Sequence, residues 1–320
     1  MVDSKLISIL KCPKCNGSIA KHKTNLICKS CSLVYDVRKN IPFLFYAKNA
    51  PLQAKVRAMF NQTPYGRVGT LSVLKKHKKI TKADLAEAPY HIHFNVKGKN
   101  VLDAGCGGGN LLTRLKLNGA YAYGLDQTPA SLRYIKEGFE KYNLEPPILV
   151  EGNIEKIPFK DNTFDIVCSM GVLHHTQNPI NGFEALTRVL KSKGTFYFMV
   201  YHKHSIWNYA KHILQFLCRR SKLFYNLIFK LTPHWMGTTM KQSDAQTVFN
   251  DNIVNAITKS YSVRDCKKIC KHLNLDINEI KIFEIPSLYG LGEKIYNSKW
   301  LRWYEKRFGW LLYVEAVKRD

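Results

Sequence analysis

The stretch Val101-Leu102-Asp103-Ala104-Gly105-Cys106-Gly107-Gly108-Gly109 decides the fold of this chain. A short buried strand, running into the acid Asp103, meets a turn with four glycines in five positions, and Asn110-Leu111-Leu112-Thr113-Arg114-Leu115 then opens a helix. Glycine carries no Cβ, so a strand that hands over to a helix through glycines brings backbone close to a ligand. Phosphates, dinucleotides and nucleosides all use such turns, and spacing has to choose among them.

The dinucleotide fingerprint needs glycines at relative positions 1, 3 and 6, but here Asn110 stands in the sixth place. No Lys-Ser or Lys-Thr follows, which excludes a nucleotide P-loop. The pattern Asp103-x-Gly105-x-Gly107-x-Gly109 instead resembles the first motif of class I S-adenosylmethionine (SAM) dependent methyltransferases, of the type 11-like kind. The competing reading is a merely tight turn between strand and helix. The resemblance implies an α/β fold with a doubly wound, seven-stranded Rossmann-like sheet, and SAM as cofactor held around Asp103, Gly105, Cys106, Gly107 and Gly109.

Downstream segments strengthen it. Gly119 to Leu125 reads as a second strand ending on Asp126, 23 residues after Asp103. A carboxylate there can accept both ribose hydroxyls, and Gln127 lies beside it. Ile148 to Ile154 reads as a third strand with a polar end, where the family places its adenine contact. Asn153 replaces the commoner acid and leaves a hydrogen bond to the adenine amino group through its side-chain carbonyl, with Ile154 next to it. A fourth strand, Phe164 to Ser169, leads into Met170-Gly171-Val172-Leu173-His174-His175, and Met170 joins the expected cofactor residues. Lys191-Ser192-Lys193-Gly194 precedes a fifth strand expected from Thr195 to Val200.

His174 and His175 follow strand four, and imidazole has the intrinsic pKa to deprotonate a hydroxyl or amine. They are the candidate general bases; histidines that hold the loop through a backbone hydrogen bond are the competing reading. His202 and His204 are weaker candidates. No Asn-Pro-Pro-Tyr or Asp-Pro-Pro-Tyr follows strand four, against the usual base-amine methylating enzymes, and Cys168 reads as core.

The first segment carries a second motif. Cys12-Pro13-Lys14-Cys15 and Cys28-Lys29-Ser30-Cys31 are two knuckles separated by twelve residues. Each C-x-x-C turn aims two thiolates at one point, and four sulfurs complete a tetrahedral site with no place for water, hence structural zinc. About 46 residues bury too little surface to fold alone, so metal binding would supply much of the folding free energy. His22, between Lys21 and Lys23, reads as solvated. The continuation through Ile41-Pro42-Phe43-Leu44 resembles the small zinc-ribbon family whose members partner tRNA, rRNA and protein methyltransferases.

The 320 residues, 45% hydrophobic, allow two or three globular domains. We expect a zinc ribbon at 1–46, a helical linker or lid at 47–95, with helical spacing from Leu52 to Phe60, a turn at Pro64 to Arg67 and a basic run at Lys75 to Lys79, and the methyltransferase domain at 96–320. An aromatic and basic insertion at 201–260 reads as an amphipathic cap, an interfacial helix touching anionic membrane through 201–235, or a surface for stacked bases. Arg219-Arg220 interrupts its apolar run and rules out a spanning helix. Ser262 and Asp265 form a capping box for a helix through Leu273, and Ile280 to Ile285 and Trp310 to Ala316 read as the last strands. Trp300, Trp303, Tyr304 and Arg307 read as packing or pocket border.

Nine cysteines, four of them in tight pairs, suit a reducing cytoplasm, and the apolar run Leu6 to Leu10, closed by Lys11, is too short for a secretory signal. The formal charge of +25 fits RNA or anionic lipid, yet the excess is mostly lysine, which base composition alone can produce. Three functions follow: methyl transfer to a small-molecule acceptor (sugar, lipid or other metabolite hydroxyl or carbon), RNA methylation through ribbon and basic surface, or a non-catalytic SAM-binding adaptor. The first leads.

Overall fold

The structure is a computed structural model that describes residues 2–46, 57–58, 69–75, 95–227, 258–283 and 299–320. Residues 57–58 are helical; the rest of the expected helix to Phe60, the turn at 64–67, the basic run beyond Lys75, residues 228–257 of the 201–260 insertion and residues 284–285 of the expected strand from Ile280 lie outside the described residues.

The main sheet has the strand order β11 (Leu275–Phe283), β12 (Leu311–Lys318), β10 (Leu190–Tyr201), β9 (Phe164–Met170), β6 (Asn100–Ala104), β7 (Tyr121–Asp126) and β8 (Ile148–Glu151). Its centre is β6, paired in parallel with β7 and with β9; β8 pairs in parallel with β7. These strands read as near-continuous apolar runs because parallel strands are buried on both faces, and Val101, Leu102, Leu125, Val150 and Val167 are at most 1% exposed. Chain order runs outward from β6 to β7 and β8 on one side and to β9 and β10 on the other, where β12 is then inserted between β10 and β11, so β6 and β9 flank the topological switch point. In open α/β sheets ligands bind beyond the carboxyl ends of the strands there. The expectation of a doubly wound, seven-stranded Rossmann-like sheet behind a small β-rich ribbon is borne out.

The chain divides into two compact units, one comprising 1–170, 178–197 and 317–320, the other 171–177 and 198–316. In the first unit the helices α3 (Asn110–Leu117), α4 (Pro129–Lys141) and α5 (Pro179–Val189) follow β6, β7 and β9. The ribbon begins with α1 (Ser4–Ile9), capped by Asp3, and continues as an antiparallel sheet of β1 (Ile19–His22), β2 (Asn25–Cys28) and β3 (Val34–Tyr35), then a hairpin of β4 (Val37–Arg38) and β5 (Ile41–Pro42). It does not stand apart from the sheet. Lys11 donates its amide to Pro158 O at 3.0 Å and Lys160 returns one to Ile9 O at 2.8 Å. Leu10 sits, fully buried, opposite Phe159 in an aromatic trio with Tyr123 and Phe164. After β5, Phe43 bridges Glu151 in parallel and Leu44 donates to Glu151 O at 2.8 Å, so the ribbon's end runs along the edge of β8. Burial against the sheet therefore adds to whatever a metal contributes to holding this segment folded.

A short helix α2 (Gly69–Leu74) buries Thr70, Val73 and Leu74 in the same unit. Strand β10 spans Leu190–Tyr201, five residues earlier than its expected start at Thr195. The early part is exposed at Ser192 and Lys193, which hid it from an apolar pattern.

The second unit holds α6 (Ile206–Arg220), α7 (Val263–His272), β11 (Leu275–Phe283), α8 (Lys299–Phe308) and most of β12 (Leu311–Lys318). The capping box is present: Asp265 N donates to Ser262 Oγ at 3.2 Å and Ser262 N to Asp265 Oδ2 at 2.9 Å. Strand β11 also begins five residues before its expected start at Ile280, because its half-buried, polar-interrupted face carries little alternation. Trp303 is half exposed with Arg307 lying 4.4 Å over its ring, so this residue is not core packing. Among the described residues no helix is long and apolar enough to cross a membrane.

Candidate functional site

The glycine loop is built by left-handed backbone. Gly105, Gly107 and Gly109 have φ of +83°, +48° and +78°, while Gly108 does not share this conformation. The alternate glycines of the motif are thus the ones a side chain would strain. Gly109 has a second reason: an added Cβ would lie 2.4 Å from Thr70 Oγ1 and 2.6 Å from Ile135 Cγ1.

One buried carboxylate fastens this loop, and a second precedes it at the end of β6. Asp126, at the end of β7, accepts from Gly107 N at 2.9 Å through Oδ2 and from Thr128 N at 2.8 Å through Oδ1. Each oxygen keeps a lone pair for a hydroxyl. Asp103, 3% exposed, is pushed up to about 7, first by burial and then by the nearby Asp126, against the Leu112 amide that donates to it. Burial likewise raises Asp126, against its two amide bonds. Neighbouring buried acids make a site that a cationic ligand would relieve. Cys106 is buried, its amide donates to Leu125 O at 3.1 Å, and burial drives its thiol well above the ordinary range, so backbone is what it can offer a ligand.

Sequence reasoning missed the clasp on the far side of the loop. Thr70 donates both its amide and its hydroxyl to Gly108 O at 2.9 Å, and Thr113 Oγ1 lies 3.1 Å from Thr70 Oγ1. An added Cβ at Gly69 would approach Gly108 O to 2.9 Å. Helix α2 therefore presses backbone against backbone.

At the ends of β7 and β8, Arg57 donates to Gln127 O at 2.9 Å and forms an ion pair with Glu151, a nearly fully buried acid that burial raises and Arg57 lowers. Gln127 thus takes part through its carbonyl. Asn153 caps the short helical turn Ile154–Lys156 by accepting from Glu155 N at 3.0 Å, and its amide donates to Tyr46 O at 3.5 Å. Its side-chain carbonyl has one lone pair committed. Ile154 is buried and Met170 half-buried at the end of β9. The first unit thus brings Asp103, the glycines and Asp126 together at one loop, with Gln127, Asn153 and Ile154 at the neighbouring strand ends.

In the second unit, His174 and His175 form a one-turn helix. The His174 ring lies 3.9 Å from that of Tyr201 and 4.1 Å from that of His175, and Tyr201 stacks on Trp310 at 4.8 Å. His174 is fully buried, its carbonyl accepting from Lys259 N at 2.9 Å; His175 is half-buried. His202 is buried with Nδ1 3.0 Å from Gly309 O, and burial lowers its pKa, so it holds its segment as a neutral ring.

The four knuckle cysteines converge. Their sulfurs lie within 4.8 Å of one another, with Cys12 to Cys31 at 3.7 Å and Cys15 to Cys28 at 3.5 Å. Tetrahedral zinc–thiolate bonds of about 2.3 Å imply sulfur separations of about 3.8 Å, so the set fits that metal. Tyr35 Oη is 2.9 Å from Cys12 Sγ, and burial raises its pKa, so the hydroxyl is kept as a donor to that sulfur. It was not legible as such: a tyrosine in a strand carries no ligand signature. His22 is exposed and outside the cluster, as expected.

Residues 102–198 match the family described as methyltransferase domain. An uncharacterised methyltransferase of Synechocystis sp. is 36% identical over 115 residues, covering 34% of this chain and 50% of the relative. A mitochondrial ubiquinone biosynthesis O-methyltransferase of Dictyostelium discoideum is 27% identical over 175 residues, 50% of this chain and 51% of the relative. A tRNA U34 carboxymethyltransferase of Nautilia profundicola is 34% identical over 107 residues, 32% of this chain and 34% of the relative. The chain spans about half, or less, of the length of these curated relatives. Among solved structures, a chain of the complex between the Haloferax volcanii Trm112 methyltransferase activator and a methyltransferase aligns with TM-score 0.50 and 17% identity, covering 78% of this chain and 94% of that one; this likeness concerns the fold.

Proposed function

We propose that this chain, whose residues 102–198 match the methyltransferase-domain family, is a class I SAM-dependent enzyme that transfers the methyl group of SAM to a small-molecule acceptor. The observation that carries the cofactor reading is the pair of buried carboxylates, Asp103 and Asp126, at the ends of the two strands beside a loop of left-handed glycines. Backbone at Gly105, Cys106, Gly107 and Gly109 would lie against the ligand, Asp126 and Gln127 would hold the ribose edge, and Asn153, Ile154 and Met170 would border the adenine.

Bound SAM supplies a methyl group made electrophilic by its sulfonium charge, so the protein's task is to orient an acceptor and take its proton. His175, half-buried, is the general base in this reading. His174, buried against Tyr201, supports its orientation. The four-cysteine cluster would hold structural zinc, with no ligand position left for chemistry; its sulfur spacing supports this.

A second reading, RNA methylation, is favoured by the formal charge of +25 and by likeness to the tRNA-modifying relative. The lysines are scattered along the whole chain, which weighs for the small acceptor. Incubation with methyl-labelled SAM and separated metabolite, lipid and RNA pools decides. Label in a metabolite or lipid fraction supports the proposal; label confined to RNA replaces it with the second reading, and no label anywhere despite SAM binding refutes catalysis.

A further inference from the structure

We propose that the outward face of α6 docks on an anionic membrane surface. A surface helix ordinarily turns its apolar stripe to the core and its polar residues to water. In α6 the described side chains depart from this. Among them Asn208 is the buried one, donating through Nδ2 to Lys203 O at 3.1 Å and accepting from Ser260 Oγ at 3.0 Å. Ile206, Tyr209, Ile213, Phe216 and Leu217 share the opposite face, since their spacing of three, four, three and one returns to one side of a helix, and they are 37% to 62% exposed. Leu223, 82% exposed, and Leu227, 50% exposed, extend the apolar series. An exposed series of this kind marks an interaction surface.

Charge selects the occupant. No Asp or Glu occurs between Glu184 and Asp244, whereas residues 201–235 hold six Lys and Arg. Lys203 and Lys222 are exposed near the two ends of the helix, and Arg220 lies 4.5 Å over the Phe216 ring, at the border of the stripe. A second copy of this chain would bring the same cations against each other. Nucleic acid would use aromatic faces for stacking, and Ile206, Ile213, Leu217, Leu223 and Leu227 have none. An anionic bilayer answers both features: the aliphatic groups enter the acyl boundary while Lys and Arg reach lipid phosphate. The helix is 15 residues long, too short to span, so it would lie in the plane of the interface. This docking is independent of which acceptor the enzyme uses.

The test is cosedimentation of the full chain with phosphatidylcholine vesicles, with and without phosphatidylglycerol, for wild type and for I213E/F216E. Both positions are exposed, so the variant should fold, and its circular dichroism and SAM affinity serve as controls. Wild type is expected to sediment with the anionic vesicles, less as salt rises, and the variant to partition at least about tenfold more weakly. The proposal fails if wild type stays in the supernatant with both vesicles, or if the variant binds undiminished. It also fails if sedimentation velocity shows a dimer, or gel shift an RNA complex, that the variant abolishes while neither protein binds lipid.

Discussion

Replacing Gly109 by alanine tests the loop at the point where two constraints meet. With φ of +78°, an L-residue there costs about 1–2 kcal/mol. The new Cβ would lie 2.4 Å from Thr70 Oγ1 and 2.6 Å from Ile135 Cγ1, and Ile135 is β-branched and stiff. Overpacking of that kind costs about 1–3 kcal/mol, and reduced freedom of the unfolded chain returns about 0.4–1 kcal/mol. A net loss of about 1–5 kcal/mol, centred near about 3 kcal/mol, follows. Gly98→Ala is the internal control, because Gly98 has φ of +71° but nothing within 4 Å of its added Cβ; it should lose about 1 kcal/mol or less. Urea denaturation of both variants reads the difference, and calorimetry should find SAM affinity weakened at least about tenfold, ~1.4 kcal/mol, for Gly109→Ala only. Equal stability of the two variants, or unchanged SAM affinity in both, would refute the steric clasp between loop, Thr70 and Ile135.

Asp103 gives a pH signature. Its folded pKa of about 7 lies above the unfolded value of about 3.9. Between these values the folded protein keeps a proton that the unfolded chain has released, so this group's contribution to stability falls as pH rises from about 4 to about 7, by at most ~4 kcal/mol. Asp103→Asn cannot ionise, and its stability relative to wild type should therefore improve from pH 5 to pH 8; no change would mean that Asp103 is not held as a protonated acid. Metal analysis should return about one zinc per chain, and Cys12→Ser with Cys28→Ser should lose it; retained metal would overturn the ribbon assignment. His175→Ala should slow turnover by about a hundredfold or more with SAM affinity nearly intact, and undiminished turnover would remove His175 from the chemistry.

What was legible in the sequence was local. Gly105, Gly107 and Gly109 announced themselves because left-handed backbone selects glycine, and Cys12, Cys15, Cys28 and Cys31 because metal coordination fixes spacing. Asp126 was readable as an acid at a strand end, but its bonds to Gly107 and Thr128 were not. The clasp by Thr70 and the Arg57–Glu151 pair join residues 38 and 94 positions apart, and neither has a periodic or spacing signature. The docking of the ribbon's end along β8 is of the same kind, since backbone pairing at a sheet edge leaves side-chain identity free. In α6 the helical period was visible but its direction was not, because the hydrogen bonds of Asn208 decide which face turns inward.

The central claim is that the loop held by Asp126 binds SAM, and calorimetric titration of SAM into wild type and Asp126→Ala tests it most directly. The substitution strips an acceptor from two amides, at 2.9 and 2.8 Å, each costing about 1–3 kcal/mol when left unpaired in the interior, and removes the ribose partner. Saturable one-to-one binding by wild type and none detectable for a folded Asp126→Ala is the predicted result; equal affinity for the two proteins would contradict the placement of the cofactor.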